Sequence, residues 1–303
     1  MRKILIALSE WGFWGEELIG PLETFDDQGY ESIFCTPTGL RPRALPPSMD
    51  PNYIDPPLGK SVTSAEMADK VKAIDNPSNQ RLEEPVSLAT WFPERPYWSG
   101  RTDDGTGRAT TDNGSSEILA LWEEYYRERA RAQKNATDAH DALLLVGGSG
   151  PMIDMVNNYR VHDLILGFLD AGKPIGAECY GVACLAQARE YSLRKSIIWG
   201  KHVTGHAIEY DYRNNTGVLR QGTNEVLLDR EGGFVNLGPP FYTLEYILRD
   251  AVGPDGQFHG NVGRETSVIV DYPFITGRST PDSYMTGAKM VEALENGLKR
   301  FGW

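Results

Sequence analysis

The sequence predicts an α/β protein: a three-layer sandwich with a mostly parallel central sheet, plus an inserted subdomain. Three observations carry this. The chain opens strand, helix, strand; the same alternation resumes near Asp141 and runs to the end; and residues 38–138 interrupt it. Strands alternating with helices build a parallel sheet covered on both faces.

Lys3–Leu8 (KILIAL) is a short apolar run bounded by polar residues, the pattern of a buried strand. Trp14 to Gln28 follows with helical spacing of Leu18, Leu22 and Phe25, and Gly29 stands where a left-handed C-terminal residue belongs. Glu31–Pro37 reads as the second strand, so the chain begins with a crossover unit. Ala142–Val146 is the next strand and ends in Gly147-Gly148-Ser149-Gly150. Val161–Ala171 reads as a helix, Pro174–Glu178 as a strand and Gly181–Arg189 as a helix. Val203–Gly205 is a short strand and Phe241–Asp250 a helix; Ser267–Asp271 and Phe274–Thr276 are late strands, and Asp282–Phe301 closes the chain as a helix.

The expected domain organisation is therefore a core of residues 1–37 and 139–303, with 38–138 as an accessory subdomain or lid. The inserted stretch holds a proline cluster from Pro42 to Pro57 and the capping box Thr63-Ser64-Ala65-Glu66, which should start a helix. An aromatic segment, Trp91 to Trp98, follows, and then a charged helix over Glu117–Lys134. A structureless loop of this length inside a compact domain is implausible.

The formal net charge of −12 argues against a nucleic-acid partner, which needs a basic surface. The apolar run after Met1 is too short for a signal peptide, and no stretch has the ~18 apolar residues of a membrane span. A cytoplasmic protein is expected. Three cysteines with no CxxC pair fit reduced thiols. No HxxxH, CxxC or calcium-loop spacing occurs, and Gly147–Gly150 lacks the spacing of a dinucleotide fingerprint, so neither metal nor cofactor is expected.

Chemistry concentrates in Lys173–Leu185 (KPIGAECYGVACL), where a strand runs directly into a helix with Cys179 at the junction and Gly181 two residues on. Small residues permit the sharp turn of a nucleophile elbow, and the helix amino terminus should acidify the thiol. Cys184 lies about 140° around the helix from Cys179 and reads as core, as does Cys35. Among five histidines, His202 and His206 are four residues apart, an even separation that would put both on one side of a strand.

Gly176-Ala-Glu-Cys-Tyr-Gly181 resembles the elbow of the ThiJ/PfpI superfamily, within the class I glutamine amidotransferase-like fold. Asp141–Met152, Gly200–His206 and Phe274–Pro281 resemble further segments of that family in order and spacing, and the insertion resembles its longer branch of heat-shock chaperones and glyoxalase III enzymes. The resemblance implies Cys179 as nucleophile and Glu17, four residues before Pro21, as a buried proton-sharing carboxyl. Glu16 and Glu10 are local competitors. It implies His206 as supporting base, with His202 as the neighbouring alternative, and the backbone amides of Gly148 and Tyr180 as an oxyanion hole. The longer branch places a histidine directly after the cysteine; here Tyr180 stands there. Glu23, where small dimeric relatives carry an acid, reads as a solvated helix glutamate.

The expected function is a cysteine-dependent enzyme acting on a small electrophilic substrate, first of all a glyoxalase III type converting a 2-oxoaldehyde to a 2-hydroxy acid without glutathione. Hydration or hydrolysis of a C–N substrate (an isonitrile or amide) is the alternative, and a holdase chaperone or thiol redox sensor the non-enzymatic one. The expected partner is a small molecule, with a homodimer possible.

Overall fold

The structure is a computed structural model that describes residues 1–55, 58–96, 114–190, 192–211, 227–229, 234–236, 243–261 and 263–303. Tyr97 and Trp98 of the aromatic segment, and the first two residues of the helix expected from Phe241, lie outside the described residues.

An eight-stranded sheet forms the centre. Its strands are β1 (Lys3–Ala7), β2 (Glu31–Thr36), β3 (Val86–Ser87), β4 (Ala142–Leu145), β5 (Ile175–Glu178), β6 (Val268–Asp271), β7 (Phe274–Gly277) and β8 (Arg300–Phe301), in spatial order β8-β6-β7-β5-β4-β1-β2-β3. From β3 to β7 every pairing is parallel; β6 runs antiparallel to β7, and β8 to β6. The alternation of side chains along β1 divides the core in two. Ile4 and Ile6 face helices α1 (Gly15–Asp27), α2 (Ala65–Asp75) and α8 (Ser283–Asn296). Leu5 and Ala7 face the layer that contains α4 (Tyr159–Asp170), α5 (Val182–Gln187) and α7 (Leu244–Val252). Between these come α3 (Gly114–Ala139), which packs on α4, and the single turn α6 (Ile208–Asp211).

Three local expectations are corrected. The closing helix stops at Asn296 rather than running to Phe301, because Gly297 takes the left-handed conformation at φ 67° and turns the chain back as edge strand β8. Helix α2 starts as predicted, but its cap is Ser64, whose hydroxyl accepts from the Met67 amide; the Thr63/Glu66 box does not form. The helix after the elbow ends at Gln187, two residues short of Arg189.

Parts of the 38–138 stretch are built into the core. Strand β3 extends the sheet beside β2. Asp163 of α4, fully buried, accepts from Arg95 (3.1 Å), Arg129 (2.8 Å) and the Tyr125 hydroxyl, while Gln133 donates to its carbonyl at 2.7 Å. One carboxylate on the core thus gathers three side chains of the insertion, and the same residue's carbonyl a fourth. Nearer the first strand, Phe13 exchanges backbone hydrogen bonds with Arg43 and Leu45. Of the aromatic segment, Trp91 packs edge-on against Phe92 and His140, and Phe92 is buried.

Among the described residues no helix is long and apolar enough to cross a membrane.

Candidate active site

Strand β5 delivers Cys179 to the carboxyl edge of the sheet. The residue has φ 52°, a left-handed conformation that is costly for a side chain bearing a Cβ. A turn of 3-10 helix over Cys179–Gly181 then passes into α5. Gly181 is required here, since a Cβ on it would lie 2.5 Å from the Leu145 carbonyl oxygen. The elbow therefore forms as predicted, with the sulfur facing the loop after β4.

That loop supplies Gly147 and Gly148. A Cβ at position 147 would fall 2.3 Å from Glu17 Oε2, 2.5 Å from the Glu178 carbonyl oxygen and 2.7 Å from Cys179 Cβ, so only glycine lets these three groups converge. Gly148, at φ 98°, aims its amide at the Cys179 sulfur, and the Tyr180 amide does the same. Glu17, 1 % exposed, comes from the first turn of α1 and lies in hydrogen-bonding range of the thiol. Burial pushes its carboxyl up to about 8.

His206 approaches from the other side, with Nδ1 3.4 Å from Cys179 Sγ. Its Nε2 lies 3.1 Å from Asp211 Oδ1. Burial opposes a positive imidazole, but Asp211 overrides it and the histidine's proton affinity is raised. Because Nε2 carries its hydrogen toward Asp211, Nδ1 is left as the acceptor facing the sulfur. His202 is turned away: its Nδ1 meets His259 Nε2 at 2.8 Å, and its ring stacks on Trp303 at 3.5 Å. Geometry thus brings Cys179, Glu17, His206 and the amides of Gly148 and Tyr180 together and leaves His202 out. Glu10 accepts from Thr38, and Glu23 is held by Lys70 and Tyr284, both away from the sulfur. Glu16 is half-buried, and desolvation raises it to about 7.

Two buried groups were not anticipated. Asp211, five residues after His206 and at the end of α6, completes a Cys-His-Asp arrangement; its signal is an acid in the short segment that follows the histidine. Glu178, directly before the nucleophile, is fully buried on the α1/α8 side, and burial together with Glu17 holds it well above the usual carboxylate range.

The thiol itself departs from expectation. Burial, reinforced by the Glu17 carboxylate, raises Cys179 well above an ordinary thiol, while the two amides pull it down. The acidifying elbow is outweighed by desolvation. Because Glu17 keeps its proton up to about pH 8, its repulsion is largely absent at neutral pH.

A family model described as ThiJ/PfpI family-like matches residues 8–203, well over half of the chain. The chain belongs to the ThiJ/PfpI family. Solved structures agree in fold: glyoxalase III from Candida albicans aligns with a TM-score of 0.61 at 15 % identity, covering 97 % of this chain and 98 % of that one. The rapid encystment protein of 24 kDa from Francisella tularensis aligns at 0.58 and 20 %, covering 97 % and 99 %. No curated protein sequence matches. Within this ThiJ/PfpI chain, among the described residues, no group of three or more His, Cys, Asp or Glu is arranged to hold a metal ion.

Cys35 and Cys184 are fully buried, and burial raises both thiols. Only Cys179 has amides and an imidazole at its sulfur. Brief iodoacetamide treatment of the native protein should therefore alkylate Cys179 first, by peptide mass spectrometry; predominant labelling at Cys35 or Cys184 would contradict this.

Proposed function

We propose that the protein is a cysteine-dependent enzyme acting on a small electrophilic carbonyl compound, of the glyoxalase III type. The observation that carries this is the Cys179 sulfur, 3.4 Å from a histidine that is itself backed by Asp211, with two backbone amides converging beside it. Cys179 adds through sulfur to the aldehyde carbon of a 2-oxoaldehyde as its thiol proton passes to His206 Nδ1. The new oxyanion sits against the Gly148 and Tyr180 amides. His206 returns the thiol proton to the oxyanion and then takes the C1 hydrogen as a proton while Glu17 protonates the C2 oxygen. The proton on His206 passes to C2 and the C1 hydroxyl proton returns to Glu17, giving a thioester of the 2-hydroxy acid. Water hydrolyses that thioester and returns the thiol, so oxoaldehyde and water give hydroxy acid with no external oxidant. The fold shared with glyoxalase III of Candida albicans is compatible with this reading, and the site geometry supports it.

The Cys-His-Asp arrangement favours a second reading, acyl transfer on an amide or addition of water to an isonitrile, since that constellation serves hydrolysis on unrelated folds. Purified protein should be assayed against 2-oxoaldehydes, isonitriles and amides beside Cys179→Ala. Cysteine-dependent formation of hydroxy acid supports the first reading. Turnover of only the nitrogen compounds selects the second, and no cysteine-dependent turnover of any defeats both.

We also propose that the 38–138 insertion borders the site as a lid. Asp55, within it, lies close enough to His206 to raise the imidazole's proton affinity. Asp55→Asn should therefore lower the His206 titration midpoint followed by NMR. An unchanged midpoint would detach the insertion from the site.

A further inference from the structure

Tyr180 directly follows the nucleophile and is buried, with 7 % exposure. Three of its parts meet the site. Its amide faces the Cys179 sulfur. Its ring stacks on the His206 imidazole, with centroids 4.6 Å apart and planes 28° from parallel. Its hydroxyl donates in a short hydrogen bond to Asp211 Oδ1, the same oxygen that faces His206 Nε2. Phenylalanine could supply the first two contacts; only tyrosine supplies the third.

A carboxylate oxygen has lone pairs for both donors. Each donor draws charge from it, so an oxygen shared with a hydroxyl holds an imidazolium less tightly than an undivided one. We propose that Tyr180 is a positioning residue of the thiol–imidazole pair: its ring fixes the imidazole plane, and its hydroxyl divides Asp211 Oδ1 with His206 Nε2. Nδ1 then stays turned to Cys179, and the carboxylate is kept from locking the histidine as a permanent cation. This rests on the reading of Cys179 as nucleophile and His206 as its base, yet its test needs no substrate.

The groups facing His206 set the background for any titration. From the elbow come Cys179 and Tyr180; from α6 come Asp211, Glu209 and Tyr210, whose ring centroid is 5.6 Å away. Glu17 of α1 and Asp55 of the insertion add their charges, both raising the imidazole. Replacing the Tyr180 hydroxyl removes its hydrogen bond to Asp211 Oδ1 and leaves each of these charged groups in place. An Asp211 Oδ1 relieved of the hydroxyl favours the imidazolium, so the sign is upward.

The test uses the full chain with histidine-labelled NMR, the His206 signal being assigned by its loss in His206→Gln. In Tyr180→Phe the His206 midpoint should rise by about half a unit or more. Iodoacetamide alkylation of Cys179 should stay within about threefold of wild type, because the ring remains. In Tyr180→Ala the imidazole loses its platform, and alkylation should slow about tenfold at the same pH. A midpoint in Tyr180→Phe that is unchanged or lower would overturn the proposal, as would wild-type alkylation in Tyr180→Ala. Should the alanine variant fail to fold, the phenylalanine midpoint decides alone. If no substrate is ever turned over while the midpoint still rises, the reaction assigned above is wrong and the role of Tyr180 stands.

Discussion

Replacing Glu17 with glutamine should cost at least about 100-fold in turnover while making the folded protein more stable. The kinetic loss follows from removing a general acid–base group that lies within reach of the nucleophile, a change typically worth 10²–10⁴. The stability gain follows from linkage. The Glu17 carboxyl titrates near 8 in the fold against 4.5 ordinarily, so between these values the native state binds more protons than the unfolded chain. Its contribution therefore favours the fold below pH 4.5 and drains away as pH rises through 8. Glutamine is nearly isosteric and pays no such ionisation cost. Unfolding free energies of wild type and Glu17→Gln, from urea titrations, should agree at pH 4.5 and diverge up to pH 8, the variant leading by a difference on the order of a few kcal/mol. A variant that is inactive but equally pH-sensitive would show that Glu17 is ionised in the fold; one that retains turnover would remove it from the chemistry.

Asp163→Ala should be the most destabilising single change outside the site. The residue is fully buried, and its loss leaves Arg95, Arg129 and Tyr125 without the acceptor they share. Breaking a buried ion pair from one side typically costs about 3–5 kcal/mol. Urea unfolding should show that loss, with the Cys179 alkylation rate little changed while the protein is folded. A loss under about 1 kcal/mol would mean that α3 and the insertion are held by apolar packing instead.

The legibility of this site in the sequence divides along physical lines. The elbow was readable because a strand, a reactive side chain and a permissive Gly181 are contiguous, so local rules decide the geometry. The place of Gly148 came only through the family resemblance, since a glycine run after a strand does not by itself say what its amides face. His206 and His202 were inseparable because a strand's two-residue period puts both on one side; a pairing with His259 and a stack on Trp303 from the distant carboxyl terminus separates them. Asp211 and Glu178 were missed because an acid in a sequence carries no mark of burial. The thiol was misjudged on electrostatics alone: a helix terminus contributes a modest local field, whereas desolvation is a property of the finished fold. The end of α8 was overrun because its apolar spacing continues past Gly297, where one left-handed residue stops the helix.

The order of the sheet has a consequence for when this chemistry can exist. Glu17 leaves from β1, the Gly148 amide from the end of β4, the thiol from β5 and the imidazole from beyond it, and β4 must dock between β1 and β5 before all four meet. Until long-range pairing is complete, a nascent or partly folded chain carries three unremarkable sulfhydryls. The assembled site at Cys179 is thus a late product of folding, and the appearance of the native His206 signal during refolding would time the closure of the central strands without any substrate.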